Sequence, residues 1–266
     1  HIFACLYLYH MKVTILGSGT SQGVPIIGCD CDVCRSNDFR DKRLRTSILI
    51  EENGYNICID AGPDFRYQMI RAGVKHLDTI LITHEHKDHI GGLDDVRPFI
   101  FLQKKPMTIY ASLEAQEEIK REYSYAFMDD ENKYPGSPSF ELIDIIDGKK
   151  IEINGIIIEP IAMKHFTLTS YAFRIGNFGY VTDLSELSED AFNRLYGIEY
   201  IIIEALRHEK HYSHISLSEA IDIAKRLKVK KAWFTHIGHS MGKASVVNPT
   251  LPENMMLAYD GLEIII

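Results

Sequence analysis

Residues 83–89 read Thr-His-Glu-His-Lys-Asp-His, three histidines and one aspartate in seven residues. Neutral imidazole and carboxylate are good ligands for zinc, manganese or iron. His84 and His86 alternate along the chain and can point the same way, whereas Asp88 and His89 are adjacent and can turn toward a second position. That is more than one tetrahedral ion takes from one loop, since catalytic zinc usually has about three protein ligands. Two ions are therefore the natural reading. The stretch comes after the apolar run ending in Ile82 and before Gly91-Gly92, where two glycines permit a close approach of backbone. A solvated histidine-rich loop would need neither.

A centre of two ions needs ligands from elsewhere. Asp60, His165, Asp183, Glu204 and His236 each come at or just past the end of an apolar stretch, as His84 does. Polar groups at strand ends can converge on one rim of a sheet. A lone strand-end His or Asp is more often a hydrogen-bonded structural residue, and only the shared position strengthens the joint case. A second cluster is Cys29, Cys31 and Cys34 in the run CDCDVC. Of the five cysteines, Cys58 falls in an apolar strand pattern and reads as a core thiol. A clustered, unpaired set argues for metal ligation in a reducing compartment, which we take as the cytoplasm, rather than for a disulfide framework.

The elements that position these residues read as short apolar strands with helices between. Residues 45–60 and 149–165 form hairpins around Asn53-Gly54 and Asn154-Gly155, and residues 171–183 form a third. Residues 64–73 have helical spacing with Gly73 as C-cap. Residues 112–123 form a helix of strong formers. Ser216 and Glu219 make a capping box, so a helix begins just after Ser216. The pattern predicts an α/β fold of αββα type, with two mostly antiparallel sheets sandwiched between helices. Residues 124–140, rich in aromatics and containing Pro135 and Pro138, read as an irregular surface loop or as a lid facing substrate.

The chain has 266 residues, 45% hydrophobic and 25% charged, an ordinary globular composition. Its net charge of −8 argues against a large nucleic-acid partner, which usually needs a basic face. An anionic small molecule remains compatible, because a metal supplies local positive charge. No apolar run is long enough to span a bilayer, so no membrane partner is expected, and a homodimer is compatible with the chain. Residues 1–10 are apolar but lack the basic start and cleavage site of a secretory signal. They read as a cloning-derived or start-site extension, leaving 11–266 as one domain. The run GSGTSQG lacks the Lys-Ser/Thr that a P-loop requires.

The run THEHKDHIGGLDD resembles the H-x-H-x-D-H signature of the metallo-β-lactamase superfamily, whose αββα sandwich carries two metals at its rim. The resemblance covers essentially all of residues 11–266. It implies that His84, His86 and His165 hold one divalent ion, zinc or manganese, and that Asp88, His89 and His236 hold the other, with Asp183 bridging. The opening Gly/Ser/Thr loop followed by C-x-C-x2-C narrows the resemblance to PhnP-type phosphodiesterases. There the cysteines bind a separate structural zinc completed by a histidine three residues after the last catalytic ligand, here His239 after His236. Similar enzymes place a proton-donating histidine where His214 lies, two residues before the Ser216 cap, and a free imidazole near pH ~6.5 can donate at neutral pH. Asp60 could accept a hydrogen bond from a ligating histidine and fix its tautomer, or simply initiate a turn. His208 and His211 read as surface or supporting residues, and Arg66 is undecided between phosphate and solvent.

The resemblance implies metal-dependent hydrolysis of a small, cyclic phosphodiester by a bridging hydroxide, with His214 as general acid and Asp88 taking part in catalysis through its metal. Three alternatives stand beside it. A tRNA 3′-processing endonuclease would carry a protruding arm for RNA, and no basic insertion here could serve. A pyrroloquinoline-quinone-biosynthesis-like metalloprotein would act oxidatively. A metal-binding module without activity would not need so complete a ligand set.

Overall fold

The computed structural model describes residues 11–129, 131–132 and 134–266; the reading of residues 1–10 lies outside them. In the N-terminal half the strands are β1 (Lys12–Gly17), β2 (Ser47–Glu52), β3 (Tyr55–Ile59), β4 (Thr79–Leu81), β5 (Met107–Ala111) and β6 (Phe140–Asp144). The C-terminal half adds β7 (Ile151–Ile153), β8 (Ile156–His165), β9 (Leu168–Ile175), β10 (Phe178–Val181), β11 (Tyr200–Glu204), β12 (Lys231–Thr235), β13 (Met255–Leu257) and β14 (Glu263–Ile265). Helices α1 (Phe65–Arg71), α2 (Lys87–Ile90), α3 (Arg97–Gln103) and α4 (Leu113–Glu122) belong to the first half, and α5 (Glu189–Leu195), α6 (Leu217–Leu227) and α7 (Ala244–Val247) to the second.

The strands form two seven-stranded sheets, ordered β14-β1-β2-β3-β4-β5-β6 and β13-β12-β11-β10-β9-β8-β7. The αββα sandwich is as expected. Each sheet, however, is evenly mixed rather than mostly antiparallel: β14, β1, β2 and β3 pair antiparallel, as do β7 to β10, and the remaining pairs are parallel. The reason is connectivity. Two-residue turns at Asn53-Gly54, Asn154-Gly155 and Gly176-Asn177 close antiparallel hairpins, with positive φ at Asn53, Gly54, Asn154, Gly155 and Gly176. Between the parallel neighbours, from β3 to β6 and from β10 to β13, the chain passes through helices, and a helical crossover returns it parallel.

Because helices cover the outer faces, both faces of the central strands are buried and read as continuous apolar runs. Ile48, Ile50, Ile57 and Ile59 of one sheet pack against Ile158, Phe173, Phe178 and Tyr180 of the other. On the opposite face Leu49 and Cys58 meet Phe65, Met69 and Ile80 beneath the helices. Cys58 is the core thiol expected, its pKa pushed up to about 12 by burial. A third apolar cluster seats α5 and α6 on the second sheet. The α6 helix begins with the anticipated capping box of Ser216 and Glu219.

The parallel half of each sheet sends its carboxyl ends to the same rim, where ligands gather in α/β sheets. Across that rim the sheets are tied by Thr46 Oγ1 and Thr235 Oγ1 at 2.7 Å, by Tyr171 N–H donating to Thr83 O at 2.9 Å, and by Ile237 N–H donating to Ser18 O at 2.9 Å. The Asp60–Gly62 loop clamps the histidine-rich segment: Ala61 N–H donates to His89 O and Gly92 N–H to Ala61 O, at 2.7 and 2.8 Å. A Cβ on Gly62 would lie 2.0 Å from the Asp88 carbonyl oxygen, and one on Gly92 2.0 Å from Gly62 O. The replacement Gly62→Ala therefore forces the Asp88 backbone outward. We expect a loss of about 1–3 kcal/mol of stability, the cost of overpacking, in thermal or urea unfolding; an unchanged midpoint would contradict this packing.

Candidate metal centre

His84 lies beyond the end of β4, His86 caps α2, and Asp88 and His89 lie on α2 itself. His165 ends β8, Asp183 lies just past β10, Glu204 ends β11 and His236 comes directly after β12. Asp60, Asp183 and His236 all take positive φ, at 66°, 57° and 55°. Asp and His are among the side chains that tolerate this region, where most residues are strained. The strand ends thus turn sharply and aim these groups inward.

The side chains converge in overlapping groups whose ligand atoms lie within 4.8 Å of one another: His84, His86 and His165; Asp88, His89 and His236; His84, His89 and Asp183; and Asp183, Glu204, His214 and His236. Asp183 is common to two of these. Its carboxylate lies 3.3 Å from His89 Nε2, 3.4 Å from His236 Nε2 and 3.8 Å from His165 Nε2.

Outer hydrogen bonds orient the rings. Asp60 Oδ2 lies 2.7 Å from His89 Nδ1, and Asp60 also accepts from Thr83 N–H at 2.8 Å and Thr83 Oγ1 at 2.9 Å. This turns His89 Nε2 inward. His165 Nδ1 lies 3.0 Å from Ser213 O, which frees its Nε2 likewise. Thr182 Oγ1 donates to Asp183 Oδ2 at 2.7 Å. Glu204, fully buried, accepts from the N–H groups of Asp183 and Leu184 at 3.2 and 2.9 Å and holds His214 Nδ1 at 2.8 Å. Its strand-end position marked Glu204, but nothing in the sequence paired it with His214.

The chemistry of the group fits divalent metal. His89 Nε2 and both ring nitrogens of His236 are buried with no hydrogen-bond partner, a costly state unless a ligand satisfies them. Burial holds His84 and His165 below the ordinary histidine range, which favours the neutral ring with one nitrogen lone pair free to ligate. Burial also opposes charge on His89 and His236. The Asp88, Asp60 and Asp183 carboxylates outweigh it and raise His89 well above its ordinary value. Asp183, Asp88 and Glu204 do the same to His236, to about 9. Reciprocally, burial of Asp88 and Asp183 is outweighed by these imidazoles, and both carboxyls titrate below the ordinary carboxylate range.

The cysteine cluster lies apart. Cys29, Cys31 and Cys34 Sγ are 3.3, 3.5 and 3.6 Å from His239 Nδ1. A tetrahedral zinc with bonds of ~2.3 Å to sulfur and ~2.05 Å to nitrogen would separate sulfur and nitrogen by about 3.5 Å. The spacing is that of a closed Cys3His site.

The cluster of candidate ligands opens into a cavity of about 490 Å3 lined by His86, Asp88, Asp183 and His214, with Thr20 and Ser21 from the Gly/Ser/Thr loop and Phe166 and Tyr212 at its edge. His211 also lines it, while His208 Nε2 is occupied by Met241 O at 2.9 Å. Arg66 is exposed on α1 and lines a different cavity. None of the described residues of 124–140 lines the metal cavity. Ala126 instead packs into the core beside α4 and Tyr125 Oη donates to Asp94 at 2.5 Å, so the lid reading is not supported there.

The sequence pattern of the beta-lactamase superfamily domain matches residues 55–237. The chain is 36% identical over 258 residues, 96% of its length, to an octanoyltransferase of Porphyromonas gingivalis, and spans 52% of that longer protein. A ribonuclease Z of Agathobacter rectalis is 24% identical over 290 aligned residues, covering 82% of this chain and 90% of that protein. Among solved structures, a diphosphatase of the PhnP family superposes with a TM-score of 0.89 at 37% identity, covering 97% of both chains.

The raised His89 and His236 define a pH dependence. Below pH about 9 the metal-free His236 ring carries a proton, and that proton must leave before the nitrogen can ligate. Adding zinc to the metal-free protein in weakly buffered solution at pH 7 should therefore release protons, and affinity should fall as pH is lowered. Calorimetric titration in two buffers of different ionisation enthalpy measures the release; binding with no proton release at pH 7 would contradict it.

Proposed function

The chain belongs to the metallo-β-lactamase superfamily and is a metal-dependent hydrolase related to the PhnP diphosphatase, and from that premise we propose that it hydrolyses small phosphodiesters, cyclic ones in particular. In this reading His84, His86 and His165 hold one divalent ion, Asp88, His89 and His236 hold a second, and Asp183 lies between them. When bound, such a pair supplies a Lewis acid for phosphoryl oxygens and a water acidic enough to attack near neutral pH. Cys29, Cys31, Cys34 and His239 hold a structural zinc.

The observation that carries the reading is the position of His214. It stands beside both Asp183 and His236, with Nδ1 at 3.7 Å from Asp183 Oδ1 and its ring stacked on His236 at 4.8 Å. Glu204 engages Nδ1, so Nε2 is the nitrogen left to the cavity. A leaving alkoxide of a phosphodiester needs a proton, and a ring held by a buried carboxylate is oriented to give it. Asp60 fixes His89 and the Ser213 carbonyl fixes His165, so the ligands need little reorganisation on loading. The cavity size suits a small substrate.

The replacement His214→Ala tests the assignment. We expect turnover of a diester with a poor alkoxide leaving group to fall by about 10²–10⁴-fold, with metal content unchanged. A nitrophenyl ester, whose leaving group needs no proton, should lose much less. Equal activity toward both esters in the variant and the parent protein would refute the proton-donor role.

A further inference from the structure

Resting on the phosphodiesterase reading, we propose that Phe166 and Tyr212 form an aromatic seat for a planar base attached to the substrate phosphate, so that the favoured substrates are nucleoside phosphodiesters rather than base-free ones. Phe166 is 54% exposed and Tyr212 71% exposed, yet the two rings meet edge to face at 5.2 Å on the cavity edge. The His211 ring lies tilted at 4.3 Å from Tyr212 and extends the aromatic surface toward His214.

The backbone at Phe166 points to function. His165 pairs with Leu168, so Phe166-Thr167 is a two-residue hairpin turn, and Phe166 has φ 53°. A turn with positive φ at its first central residue favours glycine, and a bulky residue there is a strained outlier. Among the described residues the three other two-residue hairpins carry glycine at their tips, as Asn53-Gly54, Asn154-Gly155 and Gly176-Asn177, and in the last of these Gly176 holds the position that Phe166 holds here. Here the chain keeps an aromatic side chain where glycine would fit better, and displays it beside the metal cluster.

Its placement is fixed by the site itself. Phe166 is next in the chain after His165, Tyr212 precedes Ser213, and His165 Nδ1 bonds Ser213 O at 3.0 Å. The contact that orients a candidate ligand also sets the spacing of the two rings. His214, next in the chain after Ser213, lies 5.0 Å from His165, ring to ring. A phosphate at the metals would therefore leave its organic substituent within reach of the pair. Base–aromatic stacking tolerates any base, because each has a π-face.

The test compares adenosine 2′,3′-cyclic phosphate with glycerol 1,2-cyclic phosphate in the metal-loaded protein, together with inhibition by adenosine monophosphate and glycerol phosphate. In Tyr212→Ala and Phe166→Gly we expect KM for the nucleoside diester, and Ki for adenosine monophosphate, to rise by roughly 5- to 100-fold. The values for the glycerol compounds and kcat should stay near those of the parent protein. Phe166→Gly should also keep or raise the melting temperature, since glycine suits the turn. Equal changes for both ligand classes, no change for either, or a lowered melting temperature in Phe166→Gly would overturn the proposal while leaving the hydrolase reading intact. Absence of diester turnover in the parent protein would instead refute the phosphodiesterase reading, and an unchanged Ki for adenosine monophosphate in the variants would then overturn the aromatic seat as well.

Discussion

Four carboxylates, Asp60, Asp88, Asp183 and Glu204, are buried at one rim of the sandwich, and the need to compensate that charge governs the structure around them. Unpaired buried carboxylate is too costly to keep. Each of these four therefore has a named partner: Asp60 has His89 and Thr83, Glu204 has His214 and backbone N–H groups, and Asp88 and Asp183 face His89 and His236. Without metal, the protons on His89 and His236 balance part of the charge. In the proposed metal-loaded state, divalent ions would take over that role and the imidazoles would become neutral ligands. The same cluster is electrostatically tolerable in both states, which is what a loadable site requires.

The sandwich supplies the rigidity. Each buried sheet ends its parallel strands at the rim, and the turns beyond them take left-handed backbone at Asp60, Asp183 and His236, a region few residues adopt. Such backbone persists where surrounding structure determines it. Here the inter-sheet bonds of Thr46 with Thr235 and of Tyr171 with Thr83, and the Gly62–Asp88 contact, provide that determination. Packing and chemistry meet at one place, so a change at Gly62, which carries no ligand atom itself, still reaches the candidate ligands through the Asp88 backbone.

Much of this was legible in the sequence. The density of THEHKDH announced ligands, and hydrophobic patterning placed Asp60, His84, His165, Asp183, Glu204 and His236 at strand ends. Asn-Gly pairs marked two hairpins, and Ser216 with Glu219 marked the start of α6. Other features were hidden for physical reasons. Strand direction depends on whether a tight turn or a helix connects one strand to the next, so local alternation overstated antiparallel pairing. The Glu204–His214 contact joins residues in different elements and leaves no local pattern. The loop 124–140 read from composition as a surface loop or a lid; Ala126 packs into the core, while residues 127–129, 131–132 and 134–135 are exposed away from the metal-ligand cavity. The wall of the cavity comes instead from Phe166 and Tyr212, and an aromatic at a tight turn gives no helical or strand signal.

The central claim is that two ions share Asp183 at the rim while a third sits among the cysteines, and counting metals by native mass spectrometry tests it most directly. After reconstitution with zinc, the parent protein should carry three ions per chain. Asp183→Ala should lose ions from the rim and keep the one held by Cys29, Cys31, Cys34 and His239. A parent protein that binds no more than one ion beyond the cysteine cluster, or an Asp183→Ala variant that still carries three, would contradict the account.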